Sequence, residues 1–598
     1  MEEEKNQQEE AVLQEGASPK TGADAAPKKG GSNSVGIVIG IVVFVAVLAF
    51  CWKTIDIGGV SPVLGITYAK NNDLYVYDLE NEPYLAQKGI SNGGQYNFFY
   101  TAWGSSFSED GNNLYYIANL TRDNEYDLYK RETTNREKGI LVGERVADYH
   151  ISEDGEKAAF LRLPEDVEKG AELFFFDGTK EILVDKGILP ETDTYEISTD
   201  GAYVAYIKQE KTGNHLYVCG TQEGDKPFLL AENAALFTLA KETNTLYYVA
   251  ADKDVYTAYR YLYGAEPEVV LTGATYMEVM DNGKDVLLMS QNPDKKIPYT
   301  QLIEDDMAQK DAQLKATEGE EYEAKKARDE MRKIMQNGEG IAPILQECYI
   351  YAGGNLILVS DSVLSAVSVA NDRPFAIYYG VDTEEKIKLS EISSLQDVEM
   401  KYYMNLAYGD KKLHLVDAGG NDWELQDTGI DPSTIQLSKN GSSLSYCIGD
   451  GKSKETVLKA GKLGKSFEEV ARNVEKAEFL GNSDTLAYFK DFKDGVGTIG
   501  IMGQEEIKEA SGIHFAKDKE AVYYITDANP ETGNGTLYVI EEGQKKKLDE
   551  NVFSIQYKNN GHLAYFKNYD YAAGVGDLYY YDGKDSKELD TGVTSVFM

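Results

Sequence analysis

The sequence predicts an all-β chain: a β-propeller of about twelve blade-like units in two rings, preceded by one transmembrane helix and carrying one helical insertion. Three observations carry that prediction. Strand-like phrases rich in tyrosine recur through most of the chain, the turn phrase Ser-x-Asp-Gly returns at a nearly constant interval, and one uncharged apolar run stands near the N-terminus.

Residues 1–34 are rich in Glu, Gln, Ala and Gly, a composition that cannot bury a core, and are expected to form a disordered cytoplasmic tail. The next segment, "VGIVIGIVVFVAVLAFCW" from Val35 to Trp52, holds 18 residues without a charge. As a helix it spans about 27 Å, enough to cross a bilayer. Lys20, Lys28 and Lys29 before it, against Lys53 and Lys70 after it, place the N-terminus in the cytoplasm. A cleaved signal peptide would start with a short basic region, whereas 34 mostly acidic and polar residues precede this run. Its all-round apolarity also argues against a buried core helix. "LAFC", Leu48 to Cys51, fails as an acylation box because Phe50 stands where a small residue is required, so Cys51 reads as an ordinary membrane cysteine.

From residue 60 onward one phrase keeps returning. "SEDGNNLYYI" at Ser108, "SEDGEKAAFL" at Ser152, "STDGAYVAYI" at Ser198 and "SKNGSSLSYC" at Ser438 are clear copies; "AKETNTLYYV", "LGNSDTLAYF" and "AKDKEAVYYI" are degenerate ones. The strands that follow begin at Leu114, Ala158, Val204, Leu246 and Val286, then at Leu444, Leu486, Val522 and Leu563, with spacings of 36 to 46 residues within each series. A period near 40 with several short strands per unit is the mark of a four-stranded blade. With less regular units near Leu364 and Tyr402 the count comes to about twelve, more than the usual four to eight blades of one ring. Two regions follow, 60–345 and 346–598, the boundary between them falling within 345–400.

"DGVGTIG", Asp494 to Gly500, shows the G-x-G-x-x-G spacing of a dinucleotide loop. Aligned with "GNGTLYVIEEG" at Gly533 and "GVGDLYYYDG" at Gly574, it is instead a hairpin turn entering the third strand of a unit, where glycine reaches positive φ easily. A dinucleotide loop needs a helix after it, and a strand follows here. "GKLGKS" at Gly461 lacks the first glycine of a phosphate loop, since position 459 holds Lys.

The units resemble the TolB-type, WD40-like propeller repeat: the Ser-x-Asp-Gly turn, the "LYY" or "LAY" strand, and "NDLYVYDL" at Asn72 or "GDLYYYDG" at Gly576 are its phrases. The resemblance implies a binding platform or the non-catalytic propeller of a serine peptidase. The hydrolase domain of such peptidases is not implied, because the chain has no G-x-S-x-G elbow. The first unit, from Gly65, lacks an inner strand, and "TSVFM", Thr594 to Met598, reads as an inner strand without a unit. Together they are expected to complete one blade and so remove an exposed edge. The helical insertion is Gln301 to Asn337, rich in helix formers, with Asp311/Lys315 and Glu321/Lys325 at i, i+4 spacing and Gly319 dividing it in two. Met307, Leu314, Met331 and Ile334 are the side chains expected to pack it on the ring.

With 60 Lys and Arg against 100 Asp and Glu, the net charge of −40 repels nucleic acid. The four cysteines, Cys51, Cys219, Cys348 and Cys447, form no C-x-x-C pair, and the five histidines, His150, His215, His414, His514 and His562, include no metal-ligand spacing. His150 and His514 fall on inner strands. Asp110, Asp154 and Asp200 are read as bonding their own turns rather than calcium. Trp103 and Trp423 are read as core side chains before ligand platforms. No catalytic, cofactor-binding or metal residue is assigned, and the ligand-binding residues stay unassigned. The reading is of a non-enzymatic, single-pass membrane protein whose extracytoplasmic propeller binds a protein, peptide or envelope glycan. The TolB-type resemblance and the lysine-rich, arginine-poor usage suggest a bacterial cell envelope. Two other readings stand beside it: a glycan hydrolase or lyase acting in the propeller channel, and an envelope sensor signalling through the tail.

Overall fold

The computed structural model describes residues 65–90, 105–121, 125–164, 170–188, 194–253, 255–291, 295–381, 386–408, 411–449 and 455–598. The tail, the Val35–Trp52 segment and Trp103 lie outside them. Among the described residues no helix is long and apolar enough to cross a membrane.

The repeated turn is held by its own side chains. Asp110 accepts hydrogen bonds from the Ser108 hydroxyl at 2.6 Å and the Asn112 amide at 2.9 Å, while Ser108 Oγ accepts the Asn113 amide at 2.9 Å. The same triad of contacts recurs around Ser152 and Asp154 and around Ser198 and Asp200. Around Ser438, Asn440 takes the place of the aspartate. The three aspartates therefore serve the turn, as the repeat suggests. The fourth turn residue, Gly111, Gly155, Gly201 or Gly441, has φ between +63° and +72°, where a side chain would be strained.

Many of the hairpins carry aromatics in register. Tyr68 faces Tyr75, Tyr116 faces Tyr129, and Tyr206 faces Tyr217 across antiparallel strands. Tyr248 and Tyr259, Tyr524 and Tyr538, and Tyr565 and Tyr579 pair in the same way. All six pairs stack with centroids 4.9 to 5.7 Å apart. Such pairs add about 0.5–1.5 kcal/mol beyond their burial, which accounts for much of the tyrosine excess. Gly497 and Gly500 belong to this scheme. A Cβ on Gly497 would meet the Phe489 ring at 2.5 Å and one on Gly500 the Tyr488 ring at 2.0 Å, because neighbouring rings lie over the strand Val496–Ile501. A strand, not a helix, follows Gly495, so the dinucleotide reading fails in the structure too.

Four antiparallel strands in chain order make a unit, and the described residues hold eleven units, one fewer than the repeat count. Unit 1 contains Ile66–Lys70, Asp73–Tyr77 and Tyr84–Lys88; unit 2 starts with Ser106–Phe107 and Asn113–Ala118. The first strands of units 3 to 11 end at Ile151, Ile197, Ala240, Val279, Val369, Leu437, Phe479, Phe515 and Tyr557. Ile140–Ile151, Asn355–Val369, Ile507–Phe515 and Gln544–Tyr557 each serve as last strand of one unit and first of the next, changing register midway.

The alternation of the second strand stacks the units. Leu114 and Tyr116 pack toward unit 1, whereas Tyr115 and Ile117 pack toward unit 3. Likewise Ala158 and Phe160 face unit 2, and Ala159 and Leu161 face unit 4. An apolar layer of this kind lies between every consecutive pair, through to units 10 and 11. A last layer, with Ile66 and Tyr68 against Ala564 and Phe566, joins unit 11 to unit 1. Full burial of each Leu or Phe in these layers contributes about 2 kcal/mol. The layers run without a break through residues 345–400, where the sequence suggests a change of ring. Beyond the first strand of unit 6, burial and the neighbouring Glu278 push the Asp281 carboxyl up to about 6, against the charge of Lys517 of unit 10.

Closure follows the expected route. Ser595–Phe597 pairs antiparallel with Ile66–Lys70 as the first strand of unit 1, and Met598 is buried between units 11 and 1. Polar clamps reinforce the stacking. Asp590 of unit 11 accepts from Tyr68 at 3.1 Å and Lys70 at 2.5 Å of unit 1, Asp185 of unit 3 from Tyr206 and Lys208 of unit 4, and Asp549 of unit 10 from Tyr565 and Lys567 of unit 11.

The helical part departs from expectation in three ways. Helices Ala308–Gln313 and Glu320–Gln336 flank Gly319 as expected, but a further helix, Leu395–Tyr408, stands where a blade-like unit near Tyr402 is suggested by "KYYMNLAY". Val398, Tyr402 and Leu406 are buried at helical spacing and pack with Met331, Met335 and Tyr299. The two insertions, from the second-to-third-strand connections of units 6 and 7, thus share a small core of their own. Met307 and Leu314 are only half-buried and outside it. Finally, Asp311 pairs with Arg328 and Arg332 rather than Lys315, because the first helix ends before Lys315, and Lys325 pairs with Asp329 while Glu321 lies 3.5 Å from Lys310.

Removing Thr594–Met598 is expected to cost about 3 kcal/mol or more, from ladder hydrogen bonds of about 1 kcal/mol each and the burial of Met598, and to expose Ile66–Lys70 as a pairing edge. Asp590→Ala, which keeps that strand but breaks one clamp, should cost about 1–3 kcal/mol. Denaturant melts with size-exclusion profiles read both; unchanged melting and a monodisperse truncated protein would contradict the closure.

Candidate functional site

The ends of the first strands and the turns after them converge on a cavity of about 610 Å³, within the range of ligand pockets. Six units line it. Unit 2 supplies Ser105, Phe107 and Glu109; unit 3, Ile151 and Glu153; unit 4, Glu196 and Thr199. Lys241 and Glu242 come from unit 5, Lys558 from unit 11, and Phe597 and Met598 from the closing strand of unit 1. The strand that completes the body therefore also forms part of the cavity wall.

Neighbouring turns are tied to one another through the backbone. The Glu109 amide donates to the Glu153 carbonyl at 2.9 Å, and the Glu153 amide to the Thr199 carbonyl at 2.9 Å. This tie brings the second residues of successive Ser-x-Asp-Gly turns side by side. In units 2 and 3 both are glutamate, and their carboxyls lie within hydrogen-bond reach of each other; that proximity and the repulsion between the two raise the Glu153 carboxyl above its ordinary range.

Behind this rim stands a charged relay. His150, on the first strand of unit 3, lies 3.4 Å from Asp148 and 3.1 Å from Glu196, with its ring edge-on to Tyr195 at 4.7 Å. Burial works against its charge, but the hydrogen bonds to Asp148 and Glu196 carry the imidazole up to about 9. Burial alone would raise Glu196; His150 and Lys241, whose ammonium is 3.7 Å away, hold it below the usual carboxylate range. His150 is thus a cation at neutral pH that anchors units 3 and 4 at the cavity wall.

The remaining sequence candidates lie elsewhere. His514 is on the first strand of unit 10, as expected, and stacks on Tyr557 at 4.4 Å. His215, His414 and His562 bond Thr212, Asp422 and Tyr580 on second and third strands. Among the described residues no group of three or more His, Cys, Asp or Glu is placed to hold a metal. Cys219, Cys348 and Cys447 are buried and free, and burial pushes their thiols up to about 11, about 12 and about 11, away from nucleophile chemistry. Trp423 is half-buried beside Phe375, as a core side chain. Sequence reasoning missed Glu109 and Glu153 because attention went to the aspartate of each turn. The signal was the residue before it, glutamate in two consecutive copies.

No protein-family model matches the chain, and no curated protein matches it. Among solved structures, it is similar to the crystal structure of a eukaryotic initiation factor at 9% identity, covering 81% of this chain and 96% of that one, with a TM-score of 0.37. The β-propeller domain of the Trilobed protease from Pyrococcus furiosus matches at 12% identity over 60% of this chain and 92% of that one, with a TM-score of 0.25. TolB from Acinetobacter baumannii matches at 12% identity over 42% and 62%, with a TM-score of 0.20.

The His150 relay has a definite pH signature. Its folded pKa of about 9 lies above the ordinary value of about 6.5. The contribution is therefore complete below about pH 6.5 and lost as pH rises through 9. The difference in melting temperature between the wild type and His150→Gln should narrow from pH 6.5 to 9.5; a constant difference would show that the charge contributes nothing.

Proposed function

We propose that the protein is a membrane-anchored, extracytoplasmic propeller that binds a protein or peptide ligand, without catalysis, at the cavity where units 11 and 1 to 5 converge. The observation that carries this is the cavity itself: one opening to which six units each bring a different side chain, on backbone fixed by turn-to-turn hydrogen bonds. Its lining mixes apolar surface from Phe107, Ile151 and Phe597 with hydroxyls and charges, as ligand pockets do. The membrane anchor rests on the Val35–Trp52 run and its flanking lysines; a bacterial cell envelope is the setting this reading assumes.

One observation favours a second reading, an enzyme in the channel. Two carboxyls within hydrogen-bond reach of each other, as Glu109 and Glu153 are, form an arrangement that could activate water. Glycoside hydrolysis is disfavoured in particular, since it needs carboxyls about 5–9.5 Å apart and these two lie within hydrogen-bond reach of each other. A sensor working through the tail remains compatible with ligand binding at the same cavity.

Two experiments test the reading. A photo-crosslinking residue at Glu242 or Lys558 of the full-length protein in its membrane should capture a protein or peptide that one at Lys546, on an outer strand, does not. Adducts from Lys546 alone would refute the cavity. Single cysteines at Ser586 and Ser18 check orientation with a membrane-impermeant maleimide on intact cells: labelling at Ser586 and not at Ser18 is expected, and the reverse would overturn the topology.

A further inference from the structure

We propose that Glu109 and Glu153 form the cation-recognition element of this cavity, taking the ammonium or guanidinium of a lysine or arginine side chain in a bound peptide. The proposal deepens the reading above and rests on it.

Two carboxyls are held together here with no counter-cation. The backbone bond from Glu109 to Glu153 fixes their turns as neighbours, and both side chains reach the cavity. Among the described residues neither carboxyl forms an ion pair, and the Glu109 carboxyl lies within hydrogen-bond reach of Glu153. The cations of the lining are on other units: Lys241 is engaged by Glu196, and Lys558 belongs to unit 11. A carboxyl pair in this state repels itself unless a proton or a cation sits between its members. In an exposed rim at neutral pH a ligand cation supplies that charge.

A second, independent observation points to a ligand. Ser105 is 2% exposed and lines the same cavity from the same unit as Glu109, and its hydroxyl has no hydrogen-bond partner among the described residues. A buried hydroxyl without a partner is costly, and a ligand amide or ammonium would satisfy it. Phe107, Ile151 and Phe597 give the lining apolar surface, which suits the aliphatic stem of Lys or Arg leading to a charged head. A divalent metal fits poorly: hard cations take six or more oxygen ligands, and among the described residues no group of three or more His, Cys, Asp or Glu is placed to hold a metal.

The test uses the full-length protein in detergent micelles at about 0.15 M salt, where long-range attraction to a net charge of −40 is screened beyond about 8 Å. Fluorescent, end-blocked pentapeptides Gly-Gly-X-Gly-Gly carry Lys, Arg, norleucine or Glu at X. Lys and Arg peptides should bind about tenfold or more tighter than norleucine, the size of one charge-assisted hydrogen bond. Glu109→Gln and Glu153→Gln should each abolish that preference, and Glu531→Gln, an equal charge loss on another unit, should not. Without peptide, Glu153→Gln should melt at or above the wild-type temperature, because it relieves the repulsion; this shows that loss of binding is not loss of fold. Equal binding of the Lys and norleucine peptides would sink the cation element and leave the cavity standing. An effect of Glu531→Gln as large as that of Glu153→Gln would reduce the preference to net charge and overturn it. Displacement of the Lys peptide by submillimolar calcium or magnesium would reassign the pair to a metal. Absence of binding by every peptide would retire the element and the cavity together.

Discussion

A four-stranded unit of this chain carries apolar side chains on both faces of its second strand, and neither face can be hidden within the unit. Tyr115 and Tyr116 are adjacent in sequence, point opposite ways, and are both fully buried, each against a different neighbour. Every unit therefore needs two others, and a linear stack would leave its two ends bare. Joining Ile66–Lys70 to Ser595–Phe597 is the solution adopted: the two bare faces, with Tyr68 on one side and Phe566 on the other, cover each other. The rest of the architecture depends on this requirement.

The turn chemistry and the cavity are consequences of the same stacking. Stacked units bring successive Ser-x-Asp-Gly turns close enough for the amide of one to bond the carbonyl of the next. The aspartate is consumed in holding its own turn, which leaves the second residue of the phrase free to face the interior. The chain varies that residue, Glu109, Glu153, Thr199 and Lys241 in four consecutive units, while keeping the residues around it suited to the turn. A repeated scaffold thereby presents a non-repeating surface, which is what a binding site requires.

Most of the fold was legible because its signals are local. The turn triad at Ser108, the hairpin at Gly495 and the inner-strand character of Thr594–Met598 each depend on a few consecutive residues. The unit near Tyr402 was misread for a related reason: "KYYMNLAY" has the aromatic and "LAY" texture of a strand, yet Val398, Tyr402 and Leu406 recur at the helical interval, and burial follows that interval. The Asp311/Lys315 pair failed because i, i+4 spacing matters only inside one helix, and Asp311 is instead enclosed by Arg328 and Arg332 of the next. The candidate site was the least legible part. His150 could be placed on an inner strand, but not between Asp148 and Glu196, since Glu196 belongs to another unit.

The sequence by itself determined the repeated unit, its turns, the strand alternation and the way the two ends of the repeat complete each other, because these follow from side-chain period and from hydrogen bonds within a few residues. The tertiary structure alone decided that eleven units suffice, that two insertions share a core, and that Glu109 meets Glu153 in the cavity that Ser105 also lines. Those outcomes depend on how one unit registers on the next, a distance set by packed side chains far apart in the chain rather than by any local pattern.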